Sequence, residues 1–198
     1  MNTKKNQYLR KIIRKYLNEN LNVNNEIIAY HGTNSIFPFQ NFKSELIGSG
    51  HVSTGIKYGG FFFTTEKENA EYYTEYFVAK VKINNVINNP TDIKNPKLGL
   101  EHAIENNENY LFEDIFDGNM FSDIVVVPKN NIKDIAIIDW EFIGDEDELF
   151  EQYDDFFGEN EEDVITKDMI KNVLFAYKID LGFILNIPIF EEYFNSKV

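Results

Sequence analysis

The stretch IIAYHGT, residues 27–33, decides the fold, because it is an apolar run that ends in a histidine and a glycine. A short apolar run bounded by a glycine is typical of a buried strand, here residues 27–31 ending at Gly32. A histidine at such a strand end, His31, has two readings. Taken alone it is more often a hydrogen-bonded part of the structure than a contact to a ligand.

Two later strings place other chemically useful groups near strands. The string GFFFT, residues 60–64, predicts a strand with Phe62 at its centre and leads into a helix that carries Ala70, Tyr72 and Tyr73. The string SDIVVV, residues 122–127, puts Asp123 at the start of a β-branched strand. Taken alone, the first of these strings is a strand of the core, and Asp123 is a turn residue. In this order, a histidine, an aromatic ring and a carboxylate on three strands can converge on one cleft.

Periodicity and capping signals predict most of the remaining elements. Thr65 and Glu68 have the spacing of a capping box, which predicts a helix from Thr65 to about Phe77. Alternation predicts a strand over residues 79–83, and apolar runs predict strands over residues 124–127 and 135–138. We expect helices over residues 98–106, after the capping residue Thr166, and from Pro188 onward.

The two ends of the chain differ in charge. Residues 3–20 repeat apolar side chains at helical spacing with Lys and Arg mostly on the other face, which predicts a basic amphipathic helix. Residues 141–163 hold a dozen acids and no Lys or Arg. Such a block is typical of a solvated connector. The alternative is a docking strip for a basic partner or a mimic of nucleic acid.

The composition excludes several classes of function. The chain has 198 residues, no cysteine and three histidines, which excludes disulfides, a thiol nucleophile and cysteine-ligated zinc, and no histidine metal cluster is expected. A net charge of −14 argues against an extended nucleic-acid surface. The apolar runs are too short to span a membrane and no signal-peptide pattern is present, so we expect a cytoplasmic protein.

These patterns predict an α+β protein in three parts. Residues 1–24 form the basic helix and a linker, residues 25–140 form the central domain, and residues 141–198 form the acidic connector and the C-terminal helices. The glycine-rich residues 43–60 are long for a loop without secondary structure, and such loops are usually functional or disordered.

The three strings resemble, in their order, the ADP-ribosyltransferases of the diphtheria-toxin and poly(ADP-ribose) polymerase type, whose signature is His, Tyr and Glu on three strands. The resemblance covers residues 27–139 and is closest to small prokaryotic and phage-borne members with a leading Tyr-His-Gly-Thr string. It implies a split β-sheet core with helical N- and C-terminal flanks, NAD as substrate and no metal. The Asn- and Lys-rich composition is typical of an AT-rich genome such as a phage genome, which implies a toxin-like protein in a host cytoplasm.

The resemblance implies a role for each residue that matches the NAD-binding part of the motif. His31 would hydrogen-bond a ribose hydroxyl, and the backbone after it would meet the nicotinamide carboxamide, where a glycine permits close approach. An aromatic ring on the second strand and one from the following helix would sandwich the nicotinamide, and residues 48–60 would lie over the bound NAD. The implied NAD-binding residues are His31, Gly32, Thr33, Phe62, Tyr72 and, as the alternative to Tyr72, Tyr73.

The resemblance assigns the catalytic carboxylate to Asp123. It would accept a hydrogen bond from a ribose hydroxyl and stabilise the cationic sugar that forms as nicotinamide leaves. Glu113, Asp114 and Asp117 are the other candidates for this role. Two residues depart from the family pattern: Phe62 stands where the family has Tyr, and Asp123 stands where it has the longer Glu.

The implied activity is mono-ADP-ribosyl transfer from NAD to a macromolecular acceptor, expected to be a host protein, with release of nicotinamide. One alternative is a catalytically degenerate module that binds NAD, ADP-ribose or a protein. The other is an NAD glycohydrolase that uses water as acceptor. Phe121 stands where arginine-modifying relatives carry a Glu two residues before the catalytic acid, so an arginine acceptor is disfavoured.

Overall fold

A computed structural model describes residues 25–43, 59–89, 93–116, 121–158 and 164–197 of the chain. Its seven strands form one mixed sheet in which only the first neighbouring pair, β4 with β5, is parallel. The strands are β1 (Ile27–Thr33), β2 (Gly60–Thr64), β3 (Phe77–Ile83), β4 (Val86–Asn88), β5 (Asn109–Phe116), β6 (Phe121–Pro128) and β7 (Ile135–Phe142). Their order across the sheet is β4-β5-β6-β2-β1-β3-β7.

The described helices lie between and after the strands. They are α1 (Lys67–Glu71), α2 (Pro96–Asn106), a 3-10 helix (Lys129–Asp134), α3 (Glu146–Phe157), α4 (Lys167–Ala176), α5 (Leu181–Ile184) and α6 (Pro188–Ser196). The predicted α+β class is therefore confirmed. Two predicted helix starts are also confirmed: the Thr166 hydroxyl accepts the Met169 N–H at 3.3 Å, and α6 begins at Pro188.

The two faces of the sheet carry different cores. On the face that we call the histidine face, Ala29, Phe61, Phe63 and Val125 pack together under residues 34–43. On the opposite face, the helix face, Phe112, Ile124 and Val126 pack against Leu100 and Ala103 of α2. Side chains alternate between faces along a strand, so successive residues of β1, β2 and β6 point to one face and then to the other.

The predicted capped helix at Thr65 was wrong in its bounds. Helix α1 has Glu66 as N-cap residue with no side-chain capping bond, and it ends at Glu71. The hydroxyl of Thr64 accepts the Glu66 N–H at 3.2 Å, so a turn comes first and the helix starts two residues late. Phe77 is fully buried in β3, which therefore begins before the predicted residue 79.

The interpretation of the acidic stretch as a solvated connector was wrong for most of its length. Residues up to Phe142 belong to β7, and residues 146–157 form α3. Leu149, Tyr153 and Phe157 recur at helical spacing and are buried, and all the acids of the helix lie at other positions. The acids in the first turn of α3 also stabilise the helix, because they lie at the positive end of its dipole.

Strand β5 was missed because its residues do not alternate regularly. Its pairing with β6 shifts between Phe112 and Ile115, and Asp114 has a φ of 55° inside this bulge. The predicted basic helix over residues 3–20, the loop residues 44–58 and Asp117 lie outside the described residues. In the described part of the chain, no helix is long and apolar enough to cross a bilayer.

Helices α3–α6, the helical lobe, pack against the end of the sheet where β1 finishes. Their buried core includes Phe37, Tyr76 and Phe77 from outside the lobe. The Tyr153 hydroxyl donates to the Ile36 carbonyl at 3.0 Å, and burial raises the pKa of Tyr153. The lobe therefore fixes the segment that follows β1.

Candidate functional site

Strands β1 and β2, which meet at what we call the β1–β2 junction, share fewer paired residues than any other neighbouring strands of the described sheet. These strands pair at one position, Tyr30 with Thr64, whereas β1 pairs with β3 along all seven of its residues. Beside this position, the His31 side chain spans the two strands, with Nδ1 at 2.9 Å from the Phe62 carbonyl oxygen. A side chain thus supplies a contact between β1 and β2 at the predicted histidine.

The hydrogen bond of His31 fixes which nitrogen carries the proton. A carbonyl oxygen can only accept, so Nδ1 must donate, and in the neutral ring Nε2 is then an acceptor. Burial lowers the pKa of His31 below 6.5, and this outweighs the opposite effect of the bond to Phe62. At neutral pH, His31 therefore presents a hydrogen-bond acceptor, which suits a hydroxyl donor.

Aromatic rings surround His31 on the histidine face. The ring centroids of Phe42, Phe63 and Phe61 lie 5.2, 5.4 and 6.5 Å from that of the imidazole. Residues 34–43 that carry Phe42 are tied to β7, because the Trp140 indole N–H donates to the Phe39 carbonyl at 3.1 Å. The sequence reasoning did not select Phe42 or Trp140, and their proximity to His31 follows only from tertiary packing.

Gly32 points to the helix face and brings α1 against β1. A Cβ atom at Gly32 would lie 2.3 Å from the Ala70 carbonyl oxygen, so only glycine allows this approach. Tyr72 and Tyr73 follow directly after α1, are 59% and 49% exposed, and have ring centroids 5.4 Å apart. The structure therefore brings the glycine of the first string next to the helix end that carries both candidate tyrosines.

Phe62 lies on the helix face, opposite the side chain of His31. Its ring packs beside the core formed by α2, β5 and β6. The contact of Phe62 to His31 is through the Phe62 backbone carbonyl. The Phe62 ring thus lies on the face where α1 approaches Gly32, and the structure does not bring it onto the same face as the His31 imidazole.

Asp123 is the third residue of β6 and lies on the histidine face, by alternation with Val125. Its Oδ1 accepts the Asp114 N–H at 3.0 Å and so closes the bulge in β5. Strand β2 lies between β1 and β6 in the sheet. The usual spacing between strands and rise per residue therefore put the Cα atoms of Asp123 and His31 at a distance of roughly 12 Å. A ligand that contacts both must extend across β2.

The other candidates for the acid role are less well placed. The side chains of Glu113 and Asp114 are exposed at the bulge. Asp114 also uses its main-chain N–H to bind Asp123, and its carboxylate lies 3.9 Å from the Lys94 ammonium. Alternation along β6 places Asp123 on the same face as His31, whereas Glu113 and Asp114 lie at the bulge in β5.

The stability of the protein should fall in acid because of His31. The unfolded chain has the ordinary His pKa of 6.5 and the folded chain a lower one, so below about 6.5 the unfolded state binds more protons. Urea unfolding at about pH 7.5 and 5.5 should show a loss of stability that is smaller in His31→Asn, whose amide N–H can replace Nδ1 but does not titrate. An equal loss in both proteins would contradict the assignment.

Two open clefts in the described residues lie away from this site. One, of about 520 Å³, is lined by Phe175 and Ile179 of the helical lobe, and the other, of about 500 Å³, is lined by polar residues around Asn109. Asn109 is buried, and its amide is hydrogen-bonded to the Asn84 carbonyl, Asp134 and Asn131. Neither cleft contains a residue of the three strings.

No group of three or more His, Asp or Glu side chains suited to a metal ion occurs in the part of the chain that the structure describes. Comparison of the chain with family models, curated proteins and solved structures gives no match. A functional assignment therefore depends on the residues of this chain and their geometry.

Proposed function

We propose that the protein binds NAD at the β1–β2 junction and transfers ADP-ribose from it to a macromolecular acceptor. The observation that carries this proposal is the hydrogen bond from His31 Nδ1 to the Phe62 carbonyl, 2.9 Å long. It leaves Nε2 as an acceptor for a ribose hydroxyl, which is the role that the resemblance implies for this histidine.

The residues around His31 support the same proposal. Gly32 has no side chain where α1 approaches the backbone that follows His31, and Tyr72 and Tyr73 are exposed just after that helix. An aromatic face attracts a ring that carries positive charge, by roughly 0.5–2 kcal/mol. The narrow β1–β2 junction fits the split sheet of the resembled family, although the seven strands remain hydrogen-bonded in one sheet.

A second function, an NAD- or ADP-ribose-binding module without catalysis, is favoured by one specific observation. Asp123 is shorter than the family's Glu, and one of its oxygens already accepts the Asp114 N–H. A catalytic carboxylate must face the ribose, and a misplacement of about 1 Å can reduce a rate on the order of 10²-fold. A carboxylate held in this way favours binding without catalysis.

NAD should stabilise the folded protein. A ligand at 100 times its dissociation constant adds about 2.7 kcal/mol, which corresponds to a rise in Tm of roughly 5–10 °C for a chain of this size. Thermal unfolding with and without NAD, and calorimetry, measure this effect. In His31→Asn the shift should shrink, because the Nε2 acceptor is lost. An unchanged Tm and no heat of binding at millimolar NAD would contradict the proposal.

Labelled NAD separates the three activities. Transfer gives released nicotinamide and label retained on a macromolecule from a host lysate. Hydrolysis gives nicotinamide and free ADP-ribose, and a binding module gives neither product. The proposal requires retained label that survives denaturation and is absent when the protein is omitted.

A further inference from the structure

The end of β1 is held by its pairing with β3 and by the hydroxyl of Thr74, which lies in the turn between α1 and β3. Its Oγ1 donates to the Thr33 carbonyl at 2.6 Å and accepts the N–H groups of Tyr76 and Phe77, each at 3.2 Å. A threonine hydroxyl has one donor and two acceptor positions, so all three are used. One side chain thereby joins two main-chain segments that are about forty residues apart in sequence.

The apolar part of Thr74 lies against Gly32. A Cβ atom at Gly32 would be 3.1 Å from both the Cβ and the Cγ2 of Thr74. The same turn is closed by main-chain bonds, from Tyr73 to Ala70 at 3.1 Å and from Thr74 to Glu71 at 3.3 Å. Thr74 therefore contacts the backbone that follows His31 and belongs to the turn that carries Tyr73.

We propose that Thr74 is a positioning residue that sets the distance between the Gly32 backbone and the Tyr72–Tyr73 pair, and so shapes the nicotinamide end of the site. This inference rests on the proposed function. Thr74 acts through Gly32, Thr33 and Tyr73, and it need not touch NAD itself. The sequence reasoning did not select it, because nothing in its local context distinguishes it from an ordinary turn threonine.

The two N–H groups that Thr74 accepts are themselves firmly placed. Tyr76 and Phe77 are buried in the core shared with the helical lobe. The Tyr76 carbonyl accepts the Ile143 N–H at 2.9 Å, and the Tyr76 hydroxyl donates to Glu148 of α3 at 3.4 Å. The start of β3 is thus fixed by its packing on the helical lobe. Through its three hydrogen bonds, Thr74 connects the end of β1 to this fixed segment.

Two substitutions at Thr74 separate the hydroxyl from the shape of the side chain. Thr74→Val has nearly the same shape but loses all three hydrogen bonds, whereas Thr74→Ser keeps the hydroxyl and loses the methyl group. We expect NAD affinity, measured by calorimetry on the full chain, to fall about tenfold in Thr74→Val and to stay within about twofold in Thr74→Ser.

A matched control separates positioning from a general loss of stability. The Tyr193 hydroxyl donates to Asp154 at 2.7 Å inside the helical lobe, away from the three strings. Tyr193→Phe removes this bond and should lower the Tm without changing NAD affinity. If NAD affinity follows the Tm equally in Tyr193→Phe and Thr74→Val, the positioning role is overturned.

Amide hydrogen exchange tests the inference independently of NAD. In Thr74→Val, but not in Thr74→Ser, the amides of residues 31–35 should exchange faster, because the end of β1 then keeps its pairing with β3 but loses the side-chain bond that supports it. Unchanged exchange there, or unchanged NAD affinity in Thr74→Val, overturns the inference. If the wild type binds no NAD, the proposed function fails, and faster exchange at residues 31–35 would still support the anchoring role of Thr74.

Discussion

Gly32→Ala is expected to destabilise the protein and to abolish measurable NAD binding. The new Cβ would lie 2.3 Å from the Ala70 carbonyl oxygen and 3.1 Å from two atoms of Thr74, so α1 and the end of β1 must move apart. Overpacking against backbone of this kind costs about 3 kcal/mol, or a fall in Tm of roughly 10 °C. Thermal unfolding and calorimetry with NAD measure the two effects.

Gly182→Ala is the matched control for this substitution. Its Cβ would meet only the end of the Asp180 side chain, at 3.2 Å, and the residue lies in α5 of the helical lobe. Alanine is favoured over glycine in a helix by about 1 kcal/mol, so the Tm should stay or rise and NAD binding should be kept. A Gly32→Ala protein that binds NAD like the wild type would remove this part of β1 from the site.

Asp123→Asn should lower turnover on the order of 10²-fold while NAD affinity changes little. The carboxylate is expected to stabilise positive charge that develops on the ribose, an interaction made mainly in the transition state. The fold should persist, because the amide oxygen of Asn can still accept the Asp114 N–H that Asp123 accepts at 3.0 Å. Steady-state release of nicotinamide, with calorimetry for binding, separates the two effects.

Asp139→Asn provides a control of the same chemistry. Oδ1 of Asp139 also accepts a main-chain N–H, that of Trp140, at 2.9 Å. Asp139, however, lies on β7 and not on β6. This variant should keep full turnover. Asp123→Glu has the length typical of the family and should keep or raise activity. An inactive wild type with activity gained in Asp123→Glu would favour the binding module, and full activity in Asp123→Asn would remove Asp123 from the catalyst.

The elements that the sequence predicted well are those whose signals are local. The apolar strings of β1, β2 and β6 form strands as predicted, and Thr166 and Pro188 start helices. The expectation that β1 is a buried strand was wrong, because only Ala29 of its seven residues is buried. The bounds of α1 were wrong because the Thr64 hydroxyl is used in a turn. Helix α3 was missed because its many acids hid three buried positions at helical spacing.

The candidate site was predictable in its residue types and less so in its geometry. The order of the strings selected His31, Gly32 and Asp123, but no local pattern shows that Phe62 lies on the face opposite the imidazole. Likewise, the bond between Asp123 and Asp114 depends on a bulge, and Thr74 acts through residues distant in sequence. Such features depend on strand register, which tertiary packing decides.

The tie between Trp140 and residues 34–43 has a practical consequence. Trp140 is the only tryptophan in the chain, and its indole is hydrogen-bonded to the Phe39 carbonyl with the Phe39 ring centroid 4.9 Å away. Phe39 in turn packs on Phe42, which contacts His31. The chain therefore carries an intrinsic fluorophore in contact with the segment above the histidine, and we expect its emission to change when a ligand moves that segment.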